Sequence, residues 1–412
     1  MDPVSPPQVR DFQNDEHWID IAAKWSIRPD TVYLNHGSFG PSPMEVRYSR
    51  HRWIRQLDEQ PMDFYVRGLE VYLAEARQAL AEFVGTESEN LLFADNATYG
   101  MNVVADSFPL KEGDEVLLND HEYGAVHRIW DRSCNRSGAV KTTVNLPSQF
   151  DDEQELIDCL LNAVTPKTKL LVISHITSAT ALILPVDRIC AAFAERNIPV
   201  CIDGPHAPAH VDFNLNSMGC AFYTASCHKW LCAPLGSGFL FVAPEWQKHI
   251  QPLVKSWGRL LPAIPEQWDE EFIWQGTRDP SVFLAIPDAI KFMRGIGIDQ
   301  FRGRTRTMAD YAEKHLMKLF GTTPLGVREK GWYGSMAHVP LPENDFCNPA
   351  TLQHDLWEQF GIEIPVIHFA DRWFIRVSSH LYNSLAQIDT LIDALRLLVM
   401  NGRPVPGRSV TA

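Results

Sequence analysis

The sequence predicts an α/β protein: a large domain with a mainly parallel sheet between helices, followed by a smaller C-terminal α+β domain. Three observations carry that expectation. Short β-branched or apolar runs alternate with amphipathic helical patterns through the middle of the chain. Polar clusters follow several of these runs directly, as they do where ligands gather at the carboxyl ends of parallel strands. After Pro287 the alternation stops and a long helical stretch leads into short strands and a last helix.

The strand signals, in order, are "EVLLND" (Glu115 to Asp120), "KLLVISHI" (Lys169 to Ile176), "IPVCID" (Ile198 to Asp203), "CAFYTAS" (Cys220 to Ser226) and "SGFLFVA" (Ser237 to Ala243). They are apolar throughout rather than alternating, which suits strands buried on both faces. Between them, "DDEQELIDCLLNAV" (Asp151 to Val164) and "VDRICAAFAERN" (Val186 to Asn197) combine an acidic start with apolar residues at helical spacing. A chain of 412 residues exceeds what one core serves, so a large domain over 31–287 and a small domain over 288–412 are expected behind an N-terminal arm over 1–30. No internal repeat or low-complexity linker interrupts them.

Composition narrows the function. Hydrophobic residues make up 45% and charged residues 21%, as in ordinary folded domains. A net charge of -14 argues against nucleic acid, which attracts surfaces rich in Lys and Arg. The basic runs "RYSRHRWIR" (Arg47 to Arg55) and "FRGRTRT" (Phe301 to Thr307) read as solvated or inter-subunit helix faces. The N-terminus lacks a basic stretch followed by an apolar one, and no apolar run reaches membrane-spanning length, so a cytoplasmic protein without a membrane segment is expected. Eight scattered cysteines form no CxxC pair and read as reduced thiols.

Chemistry concentrates in "CIDGPHAPAHVDFNLNSMGCAFYTASCHKWLCAPLGSGFLFV" (Cys201 to Val242). His206 and His210 with Asp203 and Asp212 offer metal-ligand types, but Pro205 and Pro208 break the helix that would align two His on one face, so no metal is expected. "PLGSGF" lacks the G-x-S-x-G spacing of a hydrolase elbow, and no G-x-G-x-x-G follows the first strand. What fits is pyridoxal phosphate, which needs an amine nucleophile, a carboxylate facing its pyridinium nitrogen and donors for its phosphate. Lys229 supplies the amine, Asp203 at a strand end the carboxylate, and Ser226 and His228 the donors. An anion beside the ring nitrogen favours its protonated form and makes the ring an electron sink. In "FADNATYGMNVVADSF", Asn96, Ala97 and Thr98 precede a helical pattern, and backbone N–H groups at a helix start suit an anion.

"YLNHGSFGP" (Tyr33 to Pro41), "NATYG", "HEYGAV" (His121 to Val126), "SHITSAT" (Ser174 to Thr180), "IDGPHA", "SCHKW", "QGTRD" (Gln275 to Asp279) and "IRVSSHLYN" (Ile375 to Asn383) follow one another in the chain. As an ordered set they resemble the class V aminotransferase superfamily of fold-type I pyridoxal phosphate enzymes, and most its isopenicillin N epimerase-like branch, from about residue 20 to 400. The resemblance implies a seven-stranded, mainly parallel sheet in the large domain and a homodimer with shared active sites. It implies that Lys229 holds pyridoxal 5'-phosphate and shuttles the Cα proton, that Asp203 pairs with the pyridine nitrogen and that His206 approaches the ring hydroxyl. Ser226, His228, Ala97 and Thr98 would hold the phosphate, with Thr277 reaching it from the partner subunit, and Tyr123 would stack on the ring. Arg376 would clamp the substrate α-carboxylate, with Asn35 and His36 at the same end.

Other readings stand beside these: Tyr123 as core, His36 as a fixer of the "NHGSFG" turn, Arg376 as half of a structural ion pair, and Arg278 as an interface charge. The chain also departs from the pattern. Ser178 stands where many relatives have Asn near the ring hydroxyl, and Ala181 where Gly is usual. No Cys lies on the loop shortly before Arg376, Cys347 being too far upstream, so desulfurase chemistry is disfavoured. The expected activity is epimerisation at Cα of an amino acid or conjugate, with Cβ–S lysis and then transamination as alternatives. A ligand-binding module without turnover would not need both Lys229 and Arg376.

Overall fold

The computed structural model describes residues 9–147, 149, 152–256, 267–326, 331–343 and 348–400. The first eight residues of the arm, Asp151 at the start of one expected helix, Cys347 and the tail from residue 401 lie outside the described residues. Contacts divide the chain into two compact units. One comprises 45–178 and 184–292, the other 1–44, 179–183 and 293–412.

The first unit holds a seven-stranded sheet: β1 (Leu91–Ala94), β2 (Glu115–Asn119), β3 (Val140–Val144), β4 (Thr168–Ser174), β5 (Val200–Asp203), β6 (Phe222–Ser226) and β7 (Gly238–Val242). Their spatial order is β1-β7-β6-β5-β4-β2-β3. The pairs β2–β3, β2–β4, β4–β5 and β5–β6 are parallel, while β7 runs antiparallel to both β6 and β1. The expected mainly parallel sheet is therefore present, with one reversed strand. Leu170, Leu171, Val172 and Ile173 are all fully buried, which is why β4 reads as an unbroken apolar run.

Helices begin where the sequence offers caps. In α1 (Ala97–Ser107) the Asn96 side chain accepts from Tyr99 N at 2.9 Å. After Tyr123 comes α2 (Gly124–Ser137), closed by Gly138 at φ 74°. Asp152 caps α3 (Glu153–Asn162), and α4 (Val186–Ala194) buries Val186, Ile189, Cys190 and Phe193, a stripe at helical spacing. Close approach demands glycine at the start of β7. A Cβ on Gly238 would clash with the Ala225 carbonyl oxygen and lie 3.1 Å from Asn96 Cα, and neither backbone group can yield.

The second unit pairs Val32–Tyr33 in parallel with Ile362–Glu363, and its antiparallel sheet is ordered Val366–Phe369, Arg372–Ser378, Met336–Pro340. Helices Ile298–Phe320, Pro349–Phe360 and Leu385–Leu395 belong to it, the last opened by a capping box at Ser384 and Gln387. Its apolar core includes Leu34, Met308, Leu316, Val339, Ile375 and Leu391.

The two basic runs part ways. Arg52 reaches Asp288 at 3.2 Å and Arg50 reaches Asp279 at 3.7 Å from the partly solvated helix Met44–Glu59, as expected. Arg304 in "FRGRTRT" is instead fully buried. Phe301, Thr305, Met308 and Ala312 are buried at helical spacing, and position 304 falls within that stripe. Its guanidinium pairs with Asp15 and donates to Phe12 O at 2.6 Å and Asn383 O at 3.4 Å. Asp15 in turn accepts from Leu385 N at 3.0 Å, so one ion pair fastens the N-terminal segment to the start of the last helix. Arg304→Ala leaves Asp15 without that cation and should lower unfolding free energy by about 3–5 kcal/mol in urea titrations. Arg47→Ala on the exposed helix should stay within about 0.5 kcal/mol of the parent.

Candidate active site

Asp203, Ser226 and Lys229 stand at the carboxyl ends of neighbouring parallel strands because β5 ends on Asp203, β6 ends on Ser226 and the chain then turns. That turn is tight: Cys232 N donates to Lys229 O at 3.0 Å and Ala233 N to Cys227 O at 3.1 Å. It leaves Lys229 partly exposed while Cys227 and Cys232 are fully buried, their thiols raised well above the ordinary range by burial. Neither cysteine is a ready nucleophile.

The lysine meets His206. Lys229 Nζ lies 3.0 Å from His206 Nε2, and Trp230 Nε1 donates to His206 Nδ1 at 3.3 Å. Indole N–H can only donate, so Nδ1 accepts and the neutral ring carries its proton on Nε2. Both His206 nitrogens are thus engaged by protein, and His210 Nδ1 turns to His206 O at 3.1 Å.

Asp203 is 4% exposed, and among the described residues none donates a hydrogen bond to its carboxylate. Burial pushes it up from 3.8 to about 7, against the opposing pull of Lys229. A buried carboxylate lacking donors is what a pyridinium N–H would satisfy, so the residues present fit the ring of pyridoxal phosphate.

The anion end is built from α1 and β6. Ala97 N donates to Ser226 Oγ at 3.2 Å, leaving the Ser226 O–H as a donor, and Thr98 N is one of the amides that a helix start leaves without an intrahelical acceptor. Thr98 is exposed. His228 Nδ1 faces Ser237 O at 3.2 Å and so carries the proton there, and burial and then Lys229 lower the ring to about 4. A neutral His228 offers Nε2 as an acceptor. It donates to a phosphate only by taking up a second proton, a condition that the sequence alone did not reveal.

The remaining residues separate into two groups. Tyr123 is half-exposed and caps no amide, which overturns the alternative of a core tyrosine. Ser178 is partly buried, and Thr277 is exposed between Gln275, which accepts from Tyr99 OH at 2.6 Å, and Arg278, which pairs with Asp95 at 3.2 Å. Asn35, His36 and Arg376 belong to the other unit. There Asn35 bridges to Ser378 and donates to Glu363 Oε1 at 3.3 Å, while Arg376 Nη2 donates to Ser38 Oγ at 2.9 Å. Burial pulls the Arg376 guanidinium down to about 10. His36 is fully buried, bonded to Tyr382 OH at 3.0 Å and stacked on His380 at 4.0 Å. Ala181 has φ 59°, a left-handed conformation that costs a non-glycine residue roughly 1–2 kcal/mol. Sequence reasoning missed Glu122 and Trp230, whose only signal was adjacency to Tyr123 and Lys229.

Asp203 gives a pH signature. Its folded pKa lies above the unfolded value, so the folded state holds an extra proton between about pH 4 and 7, and stability falls as pH rises through that window. Thermal melts of the cofactor-free protein should show Asp203→Asn more stable than the parent at pH 8, with the gap closing below pH 4. Glu122 contributes with the same sign and leaves a residual slope.

The profile of the family described as Aminotransferase class-V matches residues 68–391. Isopenicillin N epimerase of Amycolatopsis lactamdurans is 35% identical over 395 residues, covering 92% of this chain and 98% of that one. Putative L-cysteine desulfhydrase 1 of Oryza sativa subsp. japonica is 29% identical, covering 90% of this chain and 83% of that protein. Among solved structures, a C-DES mutant with glycine covalently linked to its PLP cofactor superposes with TM-score 0.76 at 21% identity, covering 89% of this chain and 96% of that one. The matched span takes in the strand-end cluster described above, and the chain belongs to the aminotransferase class-V family.

Proposed function

We propose that the chain is a pyridoxal 5'-phosphate enzyme that inverts Cα of an amino acid or amino-acid conjugate, in the manner of isopenicillin N epimerases. The observation that carries this reading is the Lys229 amine 3.0 Å from His206 Nε2 beside the buried, donor-less Asp203, in a chain 35% identical to such an epimerase over nearly its whole length. Bound pyridoxal phosphate supplies an electron sink that acidifies Cα–H.

In this reading Lys229 would hold the cofactor and would move the Cα proton on one face at Nζ. Asp203 would hold a proton on the ring nitrogen, and His206 would serve the ring hydroxyl, with Ser178 following the neighbouring strand β4. Ser226 O–H, the Ala97 and Thr98 end of α1 and a doubly protonated His228 hold the phosphate, with Thr277 contributed across a dimer. Tyr123, half-exposed, covers the ring face. Arg376 binds the substrate α-carboxylate with Asn35 at that end, its buried guanidinium already oriented by Ser38. Burial and stacking of His36 support the turn-fixing role over direct contact with substrate.

Inversion needs an acid on the second face of Cα. Cβ–S lysis needs one proton removed and a leaving group at Cβ, and the desulfhydrase relative favours it as the second reading. We infer a homodimer from the exposed apolar side chains Tyr48, Met62, Val66 and Val71, and a cytoplasmic setting from the cysteines, seven of which form no disulfide among the described residues. Among those residues no helix is long and apolar enough to cross a membrane.

Lys229→Ala should abolish borohydride trapping of the cofactor; a trapped, still covalent adduct would overturn the lysine assignment. Incubation of amino acids and cysteine conjugates in D2O should give Cα exchange with loss of chirality, whereas pyruvate without inversion would hand the assignment to lysis. Arg376→Leu should raise KM far more than it lowers kcat, with kcat/KM down by about 100-fold or more.

A further inference from the structure

Chain order places the split of this sheet between β2 and β4. From β2 the chain passes outward to β3, then returns to the other side of β2 with β4 and continues to β5 and β6. Ligands of open parallel sheets sit outside the strand ends at such a split. Main-chain pairing between β2 and β4 runs from Glu115–Thr168 to Leu117–Leu171, and past it the two strands part.

Glu122 fills that gap. Its carboxylate accepts from Ser174 N at 2.8 Å, from Ser174 Oγ at 2.6 Å and from Asn119 Nδ2 at 2.5 Å. Asn119 is the last residue of β2 and Ser174 the last of β4, and Ser174 is in register with Asp203 on β5. Asn119, Glu122 and Ser174 are all buried, and the next residue along the turn is the half-exposed Tyr123.

We propose that Glu122 is a positioning residue of the cofactor pocket, its carboxyl group replacing the missing ladder between β2 and β4 and so fixing the Tyr123 ring relative to the Asp203 strand end. The inference rests on the pyridoxal phosphate reading. Glu122 touches neither reacting atoms nor, by its burial, the solvent. It acts through Ser174 and through the turn it anchors. Burial pushes its carboxyl up to about 8; the Ser174 hydroxyl and amide oppose this and the nearby Asp203 reinforces it. The group is then neutral at pH 7, and glutamine is its isostere: Oε1 can accept from Ser174 N and Asn119 Nδ2 while Nε2 donates to Ser174 Oγ.

The test compares parent, Glu122→Ala, Glu122→Gln and Ser174→Ala proteins, each loaded with pyridoxal 5'-phosphate, by thermal melting, cofactor dissociation constant and the visible circular dichroism of the bound cofactor. Dichroism reports the pose of the ring, which a loss of stability alone does not alter. Glu122→Ala should weaken cofactor binding by about tenfold or more and change the sign or at least halve the amplitude of the dichroic band. Glu122→Gln should restore both to within about threefold of the parent, and Ser174→Ala should shift both in the direction of Glu122→Ala. A folded Glu122→Ala protein with parental affinity and dichroism overturns the proposal, as does a Gln variant no better than Ala. Should Glu122→Ala not fold, the Ser174 and Gln variants decide: a parental band in Ser174→Ala overturns it. A parent protein that binds no pyridoxal phosphate sinks the cofactor reading itself, a result visible before any variant is measured.

Discussion

A carboxylate held out of water at the end of a central strand is the constraint on which the site depends. Asp203 closes β5 with strands paired on both sides of it, so it has little room to reach solvent. An ionised carboxylate there is costly unless a cation or strong donor joins it. Gly204 immediately after it lets the chain pass Tyr223, whose ring a Cβ would strike. The backbone is therefore shaped to keep an unfavourable group in place, which is how functional sites commonly trade stability for chemistry.

The groups behind the strand ends sharpen that demand. Glu122 is pushed up to about 8, and burial lowers His175, bonded through Nδ1 to Tyr223 OH at 2.7 Å, to about 4. Both are neutral near pH 7, so this layer contributes no cation to Asp203. The charge that balances it must come from Lys229 or from a ring that arrives with its own proton. His206 lies between these groups, its Nδ1 accepting from Trp230 Nε1 at 3.3 Å and its Nε2 3.0 Å from Lys229 Nζ.

In the unit that carries Arg376, buried polar groups are organised differently. Arg304 and Asp15 form a structural pair that fastens the N-terminal segment, whereas Arg376 is directed by a serine hydroxyl and depressed by burial alone. One arginine is satisfied by a fixed anion. The other donates to the Ser38 hydroxyl at 2.9 Å.

The sequence by itself determined the class of fold and the identity of the central cluster. Strands covered on both faces must be apolar throughout, so β4, β5 and β6 declared themselves, and Asp203, Ser226 and Lys229 follow such strands within a single stretch of chain. Strand ends were legible to within a residue or two, and the reversal of β7 was not, since an apolar run has no direction. What only the tertiary structure decided was which charged and polar residues are buried and what faces them. Arg304 looked like one member of a solvated basic run, His228 looked like a ready phosphate donor, and Glu122 drew no reading at all. Their state depends on Asp15, Ser174 and Ser237, partners brought up by helix packing, strand order and a turn, and no local periodicity encodes such meetings. Burial of a polar side chain is a property of the surrounding layers, whereas burial of an apolar strand is written in the strand itself.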